Sequence, residues 1–279
     1  MPELPEVEAA RRMIDTALTG RVLTEVVARP DDIVFEGVPP EATVARLTGQ
    51  TVRGTGRRGK FMWLELDEGV LFLHLGMTGA ILDLTLGQER NVNYYRVRAE
   101  AVPGEEPRFL KLELRTDDRR IAFVDGRRLG RIWSAETPES CSRYSALGPD
   151  AHLDLPDAET WAAMLGRRKA PIKALLLDQK FLAGIGNYLA DEVLLVARVR
   201  PDRAAASLSS VEAEALRVAI RDVVGHAVAV DADYEKFPPE WLFHVRWGGG
   251  KGADLWQGHE LRRDTVGGRT TAWVPDLQK

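Results

Sequence analysis

The sequence predicts an α+β protein of two domains, and three observations carry that expectation. Between residues 21 and 134 apolar and polar residues alternate at period two in VLTEVVA, TVRGTGRRGKFMWLEL, GVLFLHL, YYRVRAEA, RFLKLEL and RIAFVD, with Gly, Pro or Asp breaks between them. That is the pattern of a β-sandwich or barrel. From about residue 150 the spacing becomes helical, in DAETWAAMLGRR, APIKALLLDQ, NYLADEVLLVARV and SSVEAEALRVAIRDVVGHAVA. From Phe243 short strands return around the glycine-rich WGGGKG and end in a hairpin whose turn is VGGRTT.

The chain begins MPELPEVEAARR. Pro5 suits the first helical position, the acids favour the positive helix end, and Val7, Ala10, Ile14, Ala17 and Leu18 form an apolar stripe that Gly20 stops. The strands follow. The stretch SRYSALGPDAHLDLP, rich in small and turn residues, reads as a linker, and Ser209 with Glu212 makes a capping box for the longest helix. The expected division is a β-domain over 1–134, a linker over 135–150, a helical domain over 151–242 and a terminal hairpin over 243–279. There is no internal repeat and no low-complexity tract.

At 279 residues the chain can build two cores, and no apolar run reaches membrane-spanning length. No charged-then-apolar signal segment is present, so a cytoplasmic protein with no membrane partner is expected, nucleoid-associated if bacterial. The single cysteine, Cys141, excludes an internal disulfide and a cysteine-rich zinc site. His74, His152, His226, His244 and His259 show no close metal-ligand spacing, so no metal and no cofactor are expected. The net charge of −4 hides basic clusters. Arg53, Arg57, Arg58 and Lys60 crowd RGTGRRGK; Arg127, Arg128 and Arg131 crowd DGRRLGR; Arg167, Arg168, Lys169 and Lys173 crowd GRRKAPIK. A solvated surface explains any one of them, but several beside glycines and turns predict a phosphate-binding face.

A helix start explains Pro5 onward but not a proline at position two with a glutamate beside it. A small residue after the initiator Met permits its removal, leaving Pro2 as an N-terminal secondary amine. Free α-amino groups titrate at roughly 8, so a useful fraction is unprotonated near neutrality. Such an amine condenses with an aldehyde carbon to an iminium, an electron sink for elimination next door. Glu3 lies within reach as proton donor or acceptor.

FLAGIGNYLADEVL places two glycines and Asn187 in a tight turn feeding a helix, which would aim N–H groups and the Asn187 amide at an anion. Together with MPELPEVE, RRGKF, HLGMTG and GGRTTAWVPDLQK, in this order and over nearly the whole chain, it closely resembles the formamidopyrimidine-DNA glycosylase (Fpg/Nei) family. The resemblance implies an N-terminal β-sandwich with flanking helices, a helix-two-turns-helix domain and a finger hairpin. It implies a monomer that acts on double-stranded DNA containing oxidised bases or abasic sites. It further implies a bifunctional glycosylase and abasic-site lyase that works through a Schiff base and β,δ-elimination. Pro2 would be the nucleophile, Glu3 the acid/base, and Lys60 a catalytic phosphate ligand beside the reacting sugar. His74, Asn187 and Arg269 match further phosphate contacts. Met77, Arg127 and Leu129 match the residues that fill the stack when a nucleotide is turned out.

Two departures refine that expectation. Leu129 stands where phenylalanine is usual, so the wedge should fill less and discriminate the opposite base weakly. No four-cysteine zinc finger is present, and GGRTTAWVPDLQK with KFPPEWLFH resembles the zincless-finger branch of plant and fungal enzymes, in which packing by Val274, Leu277, Trp256 and Trp273 would replace the metal. Arg269, after Gly267 and Gly268, is expected to project from the hairpin tip rather than lie along a strand. The short Asp231 to Trp241 segment implies excision of formamidopyrimidines and hydantoins ahead of 8-oxoguanine. Two other classes remain: a non-catalytic or lyase-only damaged-DNA binding protein, and an N-terminal-proline tautomerase, whose chains are much shorter and have no use for basic clusters.

Overall fold

The computed structural model describes residues 2–85, 90–92, 106–248 and 254–279, with backbone alone for 90–92. The expected YYRVRAEA strand and most of WGGGKG lie outside the described residues. The chain divides into two compact units, Met1–Ala146 and Leu147–Lys279.

The first unit opens with α1 (Leu4–Leu18), whose Val7, Ala10, Ile14, Ala17 and Leu18 are all buried, and Gly20 follows it. Next come β1 (Glu25–Ala28), α2 (Pro40–Leu47), β2 (Val52–Arg58), β3 (Phe61–Leu66), β4 (Val70–His74), β5 (Ala80–Asp83), β6 (Arg90–Val92), β7 (Leu110–Arg115), β8 (Arg120–Val124), β9 (Arg131–Ala135) and the single turn α3 (Ser142–Ser145). The strands form two antiparallel sheets, β1-β7-β8-β5-β6 and β2-β3-β4-β9. Period-two alternation assigns the faces. Val26, Ile81, Leu112, Leu114, Ile121 and Phe123 from one sheet share a core with Met62, Leu64, Leu71, Leu73 and Ile132 from the other and with the α1 stripe. Their neighbours Leu82, Ala122 and Val124 cluster on the outer face of the first sheet, and Trp63, Val70 and Phe72 on that of the second. This is a sandwich with a helix built into its core, not a barrel.

Helix α2 interrupts what reads in the sequence as strand and loop. Pro39 and Pro40 start it, Glu41 sits in its first turn, and Thr43 and Leu47 are buried. The interval read as a linker, 135–150, holds the last residue of β9 and all of α3, and the division between units falls inside it.

The second unit contains α4 (Ala158–Gly166), α5 (Ile172–Leu177), α6 (Asn187–Val196) and α7 (Ser210–Ala229), then the short hairpin β10 (Leu255–Trp256) with β11 (His259–Glu260) and the finger hairpin β12 (Arg262–Val266) with β13 (Arg269–Trp273). The capping box holds α7 as expected: Glu212 N–H donates to Ser209 Oγ at 3.3 Å, and Ser209 N–H to Glu212 Oε2 at 2.8 Å. Helix α6 is buried from Tyr188 to Leu195, including Asp191 and Glu192. Tyr188 of α6 and, from the segment after α7, Tyr234, Phe237, Trp241 and Phe243 pack edge to face or tilted, with Tyr234 and Phe243 centroids 4.4 Å apart. No helix among the described residues is long and apolar enough to cross a membrane.

Candidate active site

Pro2 and Glu3 are buried at the start of α1, and Glu3 is 2% exposed. Glu3 is the N-cap residue, with extended backbone at φ −109°, and its N–H donates to Glu6 Oε2 at 2.7 Å. Glu6 therefore fixes the chain direction at which residues 2 and 3 leave the helix. The E-x-x-E spacing at Glu3 and Glu6 is the signal that could have found it, because an acid at the third helical position reaches back to the cap.

Lys60 reaches the same helix through Arg57. Arg58 pairs with Phe61, so Gly59 and Lys60 form the two-residue turn of the β2–β3 hairpin, with Lys60 half-buried. The Arg57 guanidinium, 1% exposed, donates from Nε to Glu8 Oε2 at 2.9 Å and from Nη1 to the Gly59 carbonyl at 3.1 Å. One buried side chain thus ties the lysine-bearing turn to the helix that carries Pro2. Glu8 also accepts from Arg11 and Arg12 at 2.9 and 3.1 Å. Burial raises the Glu8 carboxyl, and Arg11 with Arg57 more than offsets this, so it stays below the usual carboxylate range.

His74 ends β4 beside Arg131, with its ring edge-on to Phe61 at 5.3 Å. Burial pushes its pKa down to about 4, and the charges of Lys60, Arg131 and Arg143 push the same way. Without a bound anion the imidazole is therefore neutral at neutral pH, and in that form it can meet a phosphate as a hydrogen-bond donor.

Met77, Arg127 and Leu129 come together on the surface. Met77 and Leu129 are each 37% exposed, so neither is a core residue, and Arg127 Nη2 lies 4.0 Å from the Met77 sulfur. A Cβ on Gly76 would overlap the Leu129 carbonyl, so only glycine lets the two loops approach this closely. Asp125, fully buried, holds both loops. Its Oδ1 accepts from Thr78 Oγ1 at 2.8 Å and Arg127 N–H at 3.1 Å, and its Oδ2 from Gly130 N–H at 2.6 Å. Arg128, at φ 58°, is drawn instead onto Asp31, its Nε–H shared between the two carboxylate oxygens at 3.0 and 3.1 Å. Sequence reasoning missed Asp125 and Asp31; an acid two residues before Arg127 is the local sign of an Asx turn.

In the second unit Asn187 opens α6 behind Gly186. Its Nδ2 donates one hydrogen to the Thr270 carbonyl of the finger hairpin at 3.0 Å, which ties α6 to β13, and the same nitrogen carries a second hydrogen. Gly267 and Gly268 have φ of 61° and 74°, which a two-residue hairpin loop demands, and a Cβ on Gly267 would come within 2.8 Å of Ala174 Cβ on α5. Arg269 is exposed, but it is the first residue of β13, paired with Val266, and not a tip residue as expected. The two glycines take the whole turn.

Beneath the hairpin lies a buried polar network that no motif announced. Lys173 Nζ pairs with Asp191 Oδ1 at 2.6 Å and donates to Thr270 O at 3.0 Å and Thr271 Oγ1 at 2.8 Å. Asp191 Oδ2 accepts from Arg246 Nη2 at 2.6 Å and from Ala272 N–H at 3.2 Å. Apolar packing completes the anchor: Leu195, Leu242, Trp256, Leu261, Ala272 and Val274 form one cluster with Leu277 against it. Trp273 is outside that cluster, because its face on β13 points away; it donates to Asp264 Oδ2 at 2.7 Å and lies under Arg200.

The basic clusters do not survive as phosphate faces in full. Arg57 and Lys173 are buried ion-pair members, Arg53 pairs with Asp67 at 2.5 Å, Arg128 with Asp31, and Arg131 with Glu36 at 3.0 Å. A basic run in sequence does not distinguish a solvent-facing cation from one drawn onto a carboxylate of another element.

Residues 1–132 match the family model described as the formamidopyrimidine-DNA glycosylase N-terminal domain, and residues 147–238 match the formamidopyrimidine-DNA glycosylase H2TH domain. A formamidopyrimidine-DNA glycosylase of Arabidopsis thaliana is 39% identical over 100% of this chain and 71% of its own length, and that of Geobacter metallireducens is 32% identical over 100% of both. Among solved structures, the Lactococcus lactis formamidopyrimidine-DNA glycosylase bound to DNA containing an abasic site is similar over 100% of both chains, with TM-score 0.81 and 25% identity. The same enzyme with an N7-benzyl-Fapy-dG DNA gives TM-score 0.81. With both of its units matched by that family's models and its full length by curated members, the chain belongs to the formamidopyrimidine-DNA glycosylase family.

Proposed function

We propose that this protein is a DNA glycosylase and abasic-site lyase of base excision repair, acting as a monomer on duplex DNA in the cytoplasm, with Pro2 as nucleophile. The observation that carries the reading is the placement of Pro2 and Glu3, buried side by side at a capped helix start, with Lys60 tied to that helix through Arg57 and Glu8. With Met1 removed, the Pro2 nitrogen lone pair attacks the sugar C1′. The glycosidic bond breaks, its electron pair leaving with the base, and the proton shed by the Pro2 nitrogen after its attack passes to the departing base, which restores the nitrogen lone pair. Glu3 protonates the ring oxygen as the ring opens, and the nitrogen lone pair forms the C=N⁺ of the Schiff base. Loss of the C2′ proton then drives cleavage of the C3′–O bond. A second elimination with loss of the C4′ proton breaks the C5′–O bond. Water adds to the remaining iminium and releases the Pro2 amine.

Lys60 and the exposed Arg269 serve as phosphate ligands, the arginine as a fork. Neutral His74 adds a hydrogen bond, Asn187 makes a further phosphate contact while tying α6 to the finger, and Met77, Arg127 and Leu129 fill the stack. The Asp231 to Trp241 segment is pinned by its aromatic cluster, which favours formamidopyrimidines and hydantoins over 8-oxoguanine in a lesion panel. The small Leu129 favours weak selection of the opposite base.

Borohydride trapping on abasic duplex DNA tests the mechanism. The processed protein should form a covalent adduct, and a protein verified to retain Met1 should form none. Trapping by the Met-retained form would exclude Pro2 as nucleophile, and absence of trapping by the processed form would favour a binding protein. Glu3→Gln should lose more base excision than abasic-site cleavage; equal losses would remove its role in base loss.

A further inference from the structure

Of the GRRKAPIK cluster, Lys173 turned inward, but Arg167, Arg168 and Lys169 are exposed and have no ion-pair or hydrogen-bond partner for their side chains among the described residues. In this protein that is unusual, since most of the arginines discussed above sit on carboxylates. The fold brings Lys180, likewise exposed and unpaired, from the turn after α5 to the same place. Together Pro149, Met164, Arg167, Arg168, Lys180 and Phe181 line a pocket of about 290 Å3 with no carboxylate in its wall.

The frame under these cations is rigid. Phe181 is buried against the fully buried Trp161 of α4, ring centroids 5.6 Å apart, and the Arg168 guanidinium lies over its ring at 5.9 Å. Gly148 N–H donates to Gln179 O at 2.9 Å and Ala183 N–H to Pro149 O at 2.7 Å, and a Cβ on Gly148 would meet the Lys180 carbonyl at 2.6 Å. Arg167, Arg168 and Lys180 all line the pocket above this apolar floor, and no side-chain hydrogen bond among the described residues uses their donors. Guanidinium and ammonium groups in that arrangement match a tetrahedral oxyanion.

We propose that this pocket binds a backbone phosphate of duplex DNA, a contact additional to those of Lys60 and Arg269. The proposal rests on the DNA-repair reading above. A backbone phosphate contact carries no lesion information, so its loss weakens damaged and undamaged duplexes alike. Each phosphate contact contributes about 0.9 to the slope of log affinity against log salt.

The test compares the wild type with Arg167→Ala/Arg168→Ala/Lys180→Ala on abasic and undamaged duplexes of equal length, from 50 to 200 mM salt. The variant should bind both duplexes about tenfold more weakly at the low-salt end, with a slope smaller by about one. Arg167→Lys/Arg168→Lys, with Lys180 kept, should retain most of the wild-type slope. Unchanged affinity and slope in an alanine variant with a wild-type melting temperature would overturn the proposal, and so would a loss confined to abasic DNA. Weakened binding of a mononucleotide with unchanged duplex slope would assign the pocket to free nucleotides instead. If the wild type binds duplex DNA but fails to trap on it, the catalytic reading falls while the slope comparison still decides this one.

Discussion

Asp191 sits between two buried cations, and its removal is the sharpest probe of how the finger is held. Lys173 and Asp191 are fully buried and the Arg246 side chain is 3% exposed, so none of the three exchanges its partner for water. Asp191→Ala strands both cations without a counter-charge and leaves the Ala272 N–H unpaired. Breaking a buried pair from one side costs about 3–5 kcal/mol, so a loss of about 4 kcal/mol is expected. Lys173→Met is milder. The methionine fills the space of the lysine stem, Asp191 keeps Arg246 at 2.6 Å, and Thr270 O keeps the Asn187 amide at 3.0 Å, for a loss of about 2 kcal/mol. At roughly 2–4 °C per kcal/mol for a domain of this size, the melting temperature should fall by about 8–16 °C for Asp191→Ala and about 4–8 °C for Lys173→Met. Both variants should also weaken DNA binding, because β13 carries Arg269. The assay is thermal unfolding followed by circular dichroism, with DNA affinity measured well below the transition. Equal shifts, or a larger one for Lys173→Met, would refute the account of Asp191 as the shared counter-charge.

Arg269→Ala should weaken binding to lesion DNA about tenfold with no change in melting temperature, and a chelator should alter neither activity nor melting; stoichiometric zinc on metal analysis would contradict the second expectation. Lys60→Ala should lower the salt slope of DNA binding by about one while His74→Gln leaves it unchanged, since the imidazole is neutral; a lowered slope for His74→Gln would show that it binds as a cation. Burial raises the Asp31 carboxyl, but hydrogen bonds from Lys111, Arg128 and Val34 N–H bring it from 3.8 to about 2. A depressed carboxyl stabilises the fold fully above its unfolded value and loses that contribution as pH falls through the folded one. Urea unfolding of the wild type should therefore lose about 2 kcal/mol more between pH 4 and pH 2 than that of Asp31→Asn, because the other depressed carboxylates act in both; parallel acid profiles would remove Asp31 as a support of the Arg127 loop.

Much of this architecture was legible because local signals agreed with tertiary placement. The α1 stripe, the Ser209–Glu212 box and the Gly267–Gly268 turn depend on neighbours within a few residues, and each formed where expected. Partnerships across the chain were not legible. Nothing within GRRKAPIK separates Lys173, which finds Asp191 eighteen positions on, from Arg167, which finds no carboxylate. Arg57 and Lys60 sit three residues apart in one run, yet β2 sends the first inward to Glu8 and the turn carries the second. Asp125 and Asp31 are single acids in loops, and only the fold reveals that they hold the residues the motifs named. Helix α2 was missed because its two prolines read as breaks before they read as a helix start.

The finger is secured by an ion-paired lysine, aspartate and arginine and by tryptophan, leucine and valine side chains, and the chain's one sulfhydryl, Cys141, is buried in the other unit. Thiolates that hold zinc are themselves targets of peroxide and hypochlorite, which oxidise the sulfur and release the metal. A finger held by carboxylate, ammonium, guanidinium and apolar side chains has no thiolate–metal bond for those oxidants to break. Oxidants that damage DNA bases would therefore not release this hairpin, the proposed DNA contact, by the route open to a thiolate-bound finger.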